Sequence, residues 1–188
     1  FSEILMKYLT FTSLLMASLF LILPFKVMGN TNCVSCHQKA VSNWQESDHA
    51  KAMDVAVSKT VLGDFSGVEA EHYTQVARFY QKGEEFWINF TEAENTTDYP
   101  VKYTFGHYPL QQYLIEVGDG KLQVFPFAWD SRPESEGGQQ WYPLNSQEDI
   151  QPADRLHWRQ PLQNWNGMCA DCHSDGLVRN YDSEKNSF

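Results

Sequence analysis

The sequence predicts an α+β protein in which helical or irregular segments at both ends flank a hairpin-rich antiparallel β region. Residues 38–59 carry spaced apolar side chains with few helix breakers, which is typical of one or two helical segments. From residue 71 to 144, short aromatic and β-branched runs alternate with turn signals, which is typical of β-hairpins. The stretch after residue 149 is expected to be irregular or to form short helices.

The β region is predicted from the chemistry of its strands and turns. Turn signals at Lys82-Gly83 and at residues 118–120 separate the expected strands, and the composition of residues 130–140 indicates an exposed loop. The expected strands lie in five runs: HYTQVARFY, EEFWINF, VKYTF, QQYLIEV and KLQVFPFAW.

Composition restricts the function classes. The 188 residues suffice for one ordinary domain with a substantial core. The chain has 24 acidic against 14 basic side chains and a net charge of −10, so its surface repels phosphate backbones, and no nucleic acid partner is expected. Aromatic residues form 14% of the chain, enough to cover a large flat group inside it.

The first 29 residues differ from the rest of the chain. Met6-Lys7 precede an apolar run over residues 8–24, and small residues follow before Asn30. This pattern predicts a secretory signal peptide over residues 1–29 and a mature domain over residues 30–188. The alternative is an uncleaved membrane anchor, because the apolar run is long for a signal. Either interpretation predicts a periplasmic or otherwise exported protein.

The four cysteines form two C-x-x-C pairs, and a histidine directly follows each pair. A zinc site, a thiol–disulfide pair and covalently attached haem c can all use C-x-x-C, but of these only haem c attachment needs the adjacent histidine. Export also argues against zinc. The sequence therefore predicts two covalent haem c groups with iron, held by six residues: Cys33, Cys36 and His37 at the first motif, and Cys169, Cys172 and His173 at the second.

Other histidines are candidates for the remaining axial positions on iron. An unbroken helix would place His49 roughly 18 Å along its axis from His37, which favours His49 as ligand to the second haem or to a haem outside this chain. His157 precedes His173 by sixteen positions and could ligate the first haem. His107, at the end of an expected strand, is a further candidate. Spacing leaves open that each is an ordinary polar side chain.

Three stretches carry a resemblance to a known family: CVSCHQKAVSNWQESDHAKAM, YTFGHYPLQQYLIEVGDGKLQVFPFAWDSRP and HWRQPLQNWNGMCADCHSDGLVRNYD. With them the chain resembles multihaem c-type cytochromes, of the branch linked to tetratricopeptide repeats. The resemblance implies a periplasmic electron carrier or oxidoreductase module. Family members usually continue into further haem motifs and repeats, so we expect this chain to be an N-terminal fragment whose further haem or repeat domains lie outside it.

Electron transfer between redox partners is the function these observations favour, because two axial ligands on each iron would leave no position for a substrate. The acidic surface predicts partners with a basic docking face. The alternative is a multihaem oxidoreductase in which one open-coordination haem acts on a small nitrogen or oxygen species. A binding module built on the β region is a third possibility. Whether the chain is an enzyme is left open, with a carrier favoured over a catalyst.

Overall fold

The computed structural model describes residues 34–174 and 177–188. The chain divides into two compact units, residues 1–41 and 42–188. In the described part of the first unit, a turn over residues 34–36 precedes the start of helix α1 (Gln38–Glu46). The described strands all belong to the second unit.

Nine strands in the described residues form one antiparallel sheet. The strands are β1 (Met53–Val55), β2 (Val68–His72), β3 (Gln75–Lys82), β4 (Glu85–Glu92), β5 (Asn95–Phe105), β6 (Leu110–Glu116), β7 (Leu122–Val124), β8 (Phe127–Asp130) and β9 (Gln140–Pro143). Their order is β2-β3-β4-β5-β6-β8-β9, while β1 pairs with β5 and β7 with β6. Because β2 and β9 also contact each other, the sheet is nearly closed and barrel-like.

Local turn chemistry explains the first long hairpin. Lys82 pairs with Glu85 across the turn between β3 and β4, and Gly83 adopts a φ of +63°, which glycine accepts without steric cost. The turn lies where the Lys82-Gly83 signal predicts it. Strands β4 and β5 continue the meander, with Glu92 paired to Asn95.

Aromatic side chains fill the inside of the sheet. The rings of Phe79 and Trp141 stack with centroids 3.5 Å apart, and the ring of Phe65 meets both of them edge-on. Phe65 and Phe79 are buried, and each buried side chain of this kind contributes about 1.5–3 kcal/mol through removal of apolar area from water, while Trp141 is partly buried. Much of the high aromatic content therefore forms this core, and not the covering of a flat cofactor. The other buried aromatic residues in this cluster are Phe86, Phe90, Tyr99, Tyr113, Phe125, Phe127, Trp129 and Trp158.

A smaller apolar cluster lies beside the main core. Leu114 and Val124 from neighbouring strands pack with Trp165 and Ala170 from the C-terminal segment. Partly buried side chains around it include Phe105. This cluster attaches the second cysteine motif to the sheet.

The predicted α+β class is wrong, since the described structure is mostly antiparallel β. In the expected helical stretch, α1 ends at Glu46. The Ser47 hydroxyl donates to the carbonyl of Trp44 over 2.6 Å and accepts from the amide of Ala50 over 3.4 Å, which replaces helical hydrogen bonds with a local turn. Residues 53–55 then join the sheet as β1, because pairing with β5 outweighs their local helical pattern.

The C-terminal segment holds little regular helix either. Its elements within the described residues are one 3₁₀ turn at Pro161–Gln163, a π-helix at Trp165–Cys169 and helix α2 at Ala170–His173. Side chains of the sheet hold this segment in place. Gln123, for example, donates from Nε2 to the carbonyl of Trp158 over 2.8 Å.

Gln111 connects the sheet to the loop before β2 through a buried polar network. Its side chain is 1% exposed, and its Oε1 accepts from the Leu62 amide at 2.8 Å and from the Tyr113 hydroxyl at 2.7 Å. Its Nε2 donates to the carbonyl of Thr60 at 2.9 Å. Burial raises the pKa of Tyr113 far above its ordinary value, so the hydroxyl stays protonated and remains a donor.

Replacing this glutamine should destabilise the fold. Gln111→Leu removes the acceptor of two groups, and leaving a buried donor unsatisfied costs about 1–3 kcal/mol for each group. We expect a lower urea midpoint by tryptophan fluorescence. Gln81→Leu, at an exposed strand position, is the control and should change the free energy of unfolding by less than about 0.5 kcal/mol. Equal midpoints for the two variants would contradict this account of the network.

Candidate functional site

The second cysteine motif lies on the π-helix and on α2. Asn164 begins this structure: its side-chain oxygen accepts from the amide of Gly167 at 2.9 Å, and its Nδ2 donates to the Gln123 side chain at 2.9 Å. Single π-turns occur frequently at functional sites. Here the π-turn ends at Cys169, and the following turn of helix carries the rest of the motif.

Burial differs across this motif. Ala170 is completely buried in the smaller apolar cluster, Cys169 is half-buried, and Cys172 and His173 are exposed. Burial raises the pKa of the Cys169 thiol, and the neighbouring Cys172 thiolate raises it further. The motif is therefore anchored on one face and accessible on the other.

An open cleft of about 440 Å³ adjoins the exposed face of the motif; we call it the Cys172 cleft. Cys172 and His173 line one side of it. The other lining residues include Trp44, His49 and Met53. The cleft thus brings together the second motif and a histidine more than a hundred positions earlier in the chain.

A second cavity of about 310 Å³ shares His49 and His173 with the Cys172 cleft; we call it the His107 cavity. It is also lined by His107, Tyr108 and Asp48. The Ser131 hydroxyl donates to the backbone carbonyl of His107 at 2.8 Å. This bond holds the backbone of His107 and does not involve its imidazole. His49 lines both cavities, so it is the histidine most closely associated with the second motif.

His49 lies in a turn after α1, held by bonds between backbone groups. The amide of Ala52 donates to the carbonyl of His49 at 3.3 Å, and the amide of Gly106 donates to the carbonyl of Ala52 at 2.6 Å. Since α1 ends at Glu46, the unbroken helix behind the spacing argument for His49 does not form. The chain turns instead toward the end of β5.

His157 lies elsewhere in the second unit, in the main aromatic core. Its side chain is 1% exposed, and Nε2 is 2.8 Å from Oε1 of Glu92. Nδ1 accepts from the amide of Arg159 at 3.3 Å. Nε2 is then the protonated nitrogen and donates to the carboxylate. Both nitrogens are occupied, so this histidine has none free for iron in this structure.

Residues of the first motif belong to the first unit and are described separately. Cys33 lies outside the described residues. Cys36 is exposed in the turn before α1, and the amide of Val41 donates to the carbonyl of exposed His37 at 3.0 Å. Their roles at a first haem stay predictions.

Three tryptophans close in sequence to the two motifs separate into two groups in the structure. Trp44 is 52% exposed and lines the Cys172 cleft. Trp158 and Trp165 are buried in the main and the smaller cluster. Sequence reasoning missed Phe105, whose ring lies 4.9 Å from that of His173 at an angle of 84°. The sequence places it in a strand, but nothing in the spacing links it to a residue so distant.

The donor set of the Cys172 cleft fits a covalently bound haem. Cys172, His173 and His49 line the cleft, and the second thiol of the motif, Cys169, lies three residues before Cys172. Across the described residues, no group of three or more His, Cys, Asp or Glu side chains is arranged to hold a metal ion. A haem iron takes at most two axial ligands from the protein, so it does not require such a group.

Comparison with protein families points to the same cofactor. The family model for cytochrome c554 and c-prime matches residues 32–82, which is less than half of the chain and includes the first motif. The match supports a c-type cytochrome family, whose members hold haem c covalently. It does not reach the second motif. No curated protein and no solved structure matches the chain significantly.

The two thiols of the second motif should differ in reactivity before haem attachment. The thiolate is the nucleophile in alkylation. Near pH 8 the raised pKa leaves Cys169 with a smaller thiolate fraction than an ordinary cysteine has. Cys172 is also the more accessible of the two thiols, because it is exposed. Alkylation of the folded, haem-free polypeptide, followed by peptide mass spectrometry, should modify Cys172 first. The difference should shrink as the pH rises through the pKa of Cys169.

Urea provides the control for this experiment. Unfolding removes the burial of Cys169, so the two thiols should then react at similar rates. Equal rates in the folded polypeptide as well would contradict the burial of Cys169.

Proposed function

We propose that the chain is an exported dihaem c-type cytochrome module that carries electrons between redox partners. The observation that carries the proposal is the Cys172 cleft, where the second motif and His49 lie together. When bound, haem c supplies one-electron chemistry at its iron. The family match over residues 32–82 supports the same class at the first motif.

In this proposal each residue of the second site has a distinct role. Cys169 and Cys172 would hold the cofactor through thioether bonds, and His173 would bind its iron. His49 would be the second protein ligand to the same iron, supported by its place in both cavities. Two protein ligands leave no free position for a substrate, which favours electron transfer over catalysis. Two imidazoles also give a lower reduction potential than an imidazole with a thioether such as that of Met53.

At the first motif, Cys33 and Cys36 are the proposed attachment residues and His37 the proposed axial ligand. The support is the spacing, which repeats that of the second motif, and the family match. The second axial ligand of this site is left unassigned.

An oxidoreductase with one open iron position is the second candidate. The His107 cavity favours it, because His107 and Tyr108 lie beside His173 and could donate hydrogen bonds or protons to a small bound molecule. It requires that His49 does not ligate the second haem. The two candidates therefore make opposite predictions about access to iron.

Export and partners are also parts of the proposal. The signal-like residues 1–29 lie outside the described residues, and no helix in residues 34–174 or 177–188 is long and apolar enough to cross a membrane. The pattern of residues 1–29 supports an exported, periplasmic location, with membrane anchoring through this segment as the alternative. The net charge of −10 supports redox partners with a basic docking face, and the family resemblance supports further haem or repeat domains.

Removing His49 should open the second haem to carbon monoxide. In the reduced holoprotein, with two haems verified by mass, the wild type should show no spectral response to carbon monoxide. His49→Ala should respond, because it frees one axial position. His107→Ala is the matched control, since this histidine lines the neighbouring cavity, and it should remain unresponsive.

Other outcomes of this experiment separate the candidates. A wild-type response would contradict the carrier and support the oxidoreductase. A response of His107→Ala without one from His49→Ala would contradict the ligand assignment alone.

Electron transfer with a basic partner should slow as salt is added. The Debye length falls from about 30 Å at 0.01 M to about 10 Å at 0.1 M ionic strength, which screens attraction between unlike surfaces. Stopped-flow rates with a small basic redox protein should therefore fall over this range. An acidic redox protein of similar size is the control and should show a rise. Salt-independent rates with the basic protein would contradict the docking proposal.

A further inference from the structure

Phe105, the last residue of β5, contacts the proposed axial ligand of the second haem. Its ring centroid lies 4.9 Å from that of His173, and the two planes meet at 84°. Edge-to-face contacts of this kind have a preferred geometry and resist rotation of either ring. Among the described residues, Phe105 is the one aromatic residue whose ring contacts that of His173.

The backbone around the same residue also holds the segment of His49. Phe105 pairs with Met53 in the register of β1 and β5. The next residue, Gly106, donates from its amide to the carbonyl of Ala52 at 2.6 Å, and the amide of Ala52 donates to the carbonyl of His49 at 3.3 Å. One strand end thus contacts the ring of one histidine and holds the backbone of the other.

This strand end has little freedom to move. Phe105 pairs with Gln112 of β6 on its other side. Gly106 has a φ of +91°, and a Cβ there would lie 2.8 Å from the carbonyl oxygen of Leu110. The chain leaves β5 through a turn that requires glycine, so the strand is fixed up to Phe105.

We propose that Phe105 is a positioning residue that sets the orientation of the His173 imidazole relative to His49. The inference rests on the proposed function, in which these two histidines ligate one iron. The orientation of an axial imidazole is a lever by which a protein tunes its metal, and neighbouring groups hold such ligands in place. A shorter, flexible side chain at position 105 leaves the His173 ring free to rotate.

Simple core packing is the competing explanation, and the chain offers a matched control for it. Tyr103 lies two residues earlier on the same strand and packs, like Phe105, against the smaller apolar cluster. Y103L therefore removes an aromatic side chain from the same cluster while retaining the contact between Phe105 and His173.

The test uses the full mature chain with both haems attached. Electron paramagnetic resonance of the oxidised protein reports the orientation of axial ligands, and a redox titration reports the potential. We expect F105L to shift the largest g value and the midpoint potential of one haem while the other haem is unchanged. F105Y, which keeps the ring, should retain the wild-type signal, and Y103L should lower thermal stability without shifting the signal.

The outcomes separate this inference from the proposed function. A wild-type peptide containing Cys169 and Cys172 that lacks the mass of haem would overturn both. Attached haem with an F105L signal identical to the wild type, or with an equal shift in Y103L, would overturn the positioning role alone. If F105L does not fold, F105M retains more side-chain volume without a ring, and the same shift is expected of it.

Discussion

The pairing of β1 with the end of β5 is the constraint on which the candidate site depends. Three residues, Met53–Val55, join the sheet, and this short strand holds the turn that carries His49. Next to this pairing, the amide of Gly106 donates to the carbonyl of Ala52 at 2.6 Å and fixes the end of that turn. The β5 end also contacts His173, which belongs to the C-terminal segment. A single strand end therefore brings together residues that lie more than a hundred positions apart.

The aromatic core provides the rigidity that this arrangement needs. Edge-on and stacked rings fill the nearly closed sheet, and the Phe79–Trp141 stack joins β3, the strand next to one edge, to β9 at the other edge. Large aromatic residues bury much area at a low cost in side-chain entropy. The sheet thus has a core of its own, and the second motif is attached at its side through Ala170 and Trp165. The proposed attachment residues Cys169 and Cys172 are not part of the main aromatic core, although Cys169 packs against the smaller cluster.

Two histidines in segments that the sequence suggests to be helical or irregular have different environments. His49 lies between Asp48 and Ala50, and His157 lies between Leu156 and Trp158. Glu92 binds the imidazole of His157 inside the core, where an unpaired polar group would be costly. His49 instead faces a cleft shared with the second motif. What separates them is the position of one carboxylate, 65 residues away from His157 in sequence.

The sequence by itself determined the spacing of the two motifs, from which their chemistry is predicted, and the turn between β3 and β4, because both are local. A C-x-x-C-H motif depends on residues that are adjacent in sequence, and so does a glycine at a tight turn. Neither depends on distant parts of the chain. Tertiary structure alone decided that residues 53–55 form a strand, that His49 meets the second motif and that Phe105 touches His173. These results depend on which distant surfaces pack together, and such pairing has no signature in local spacing.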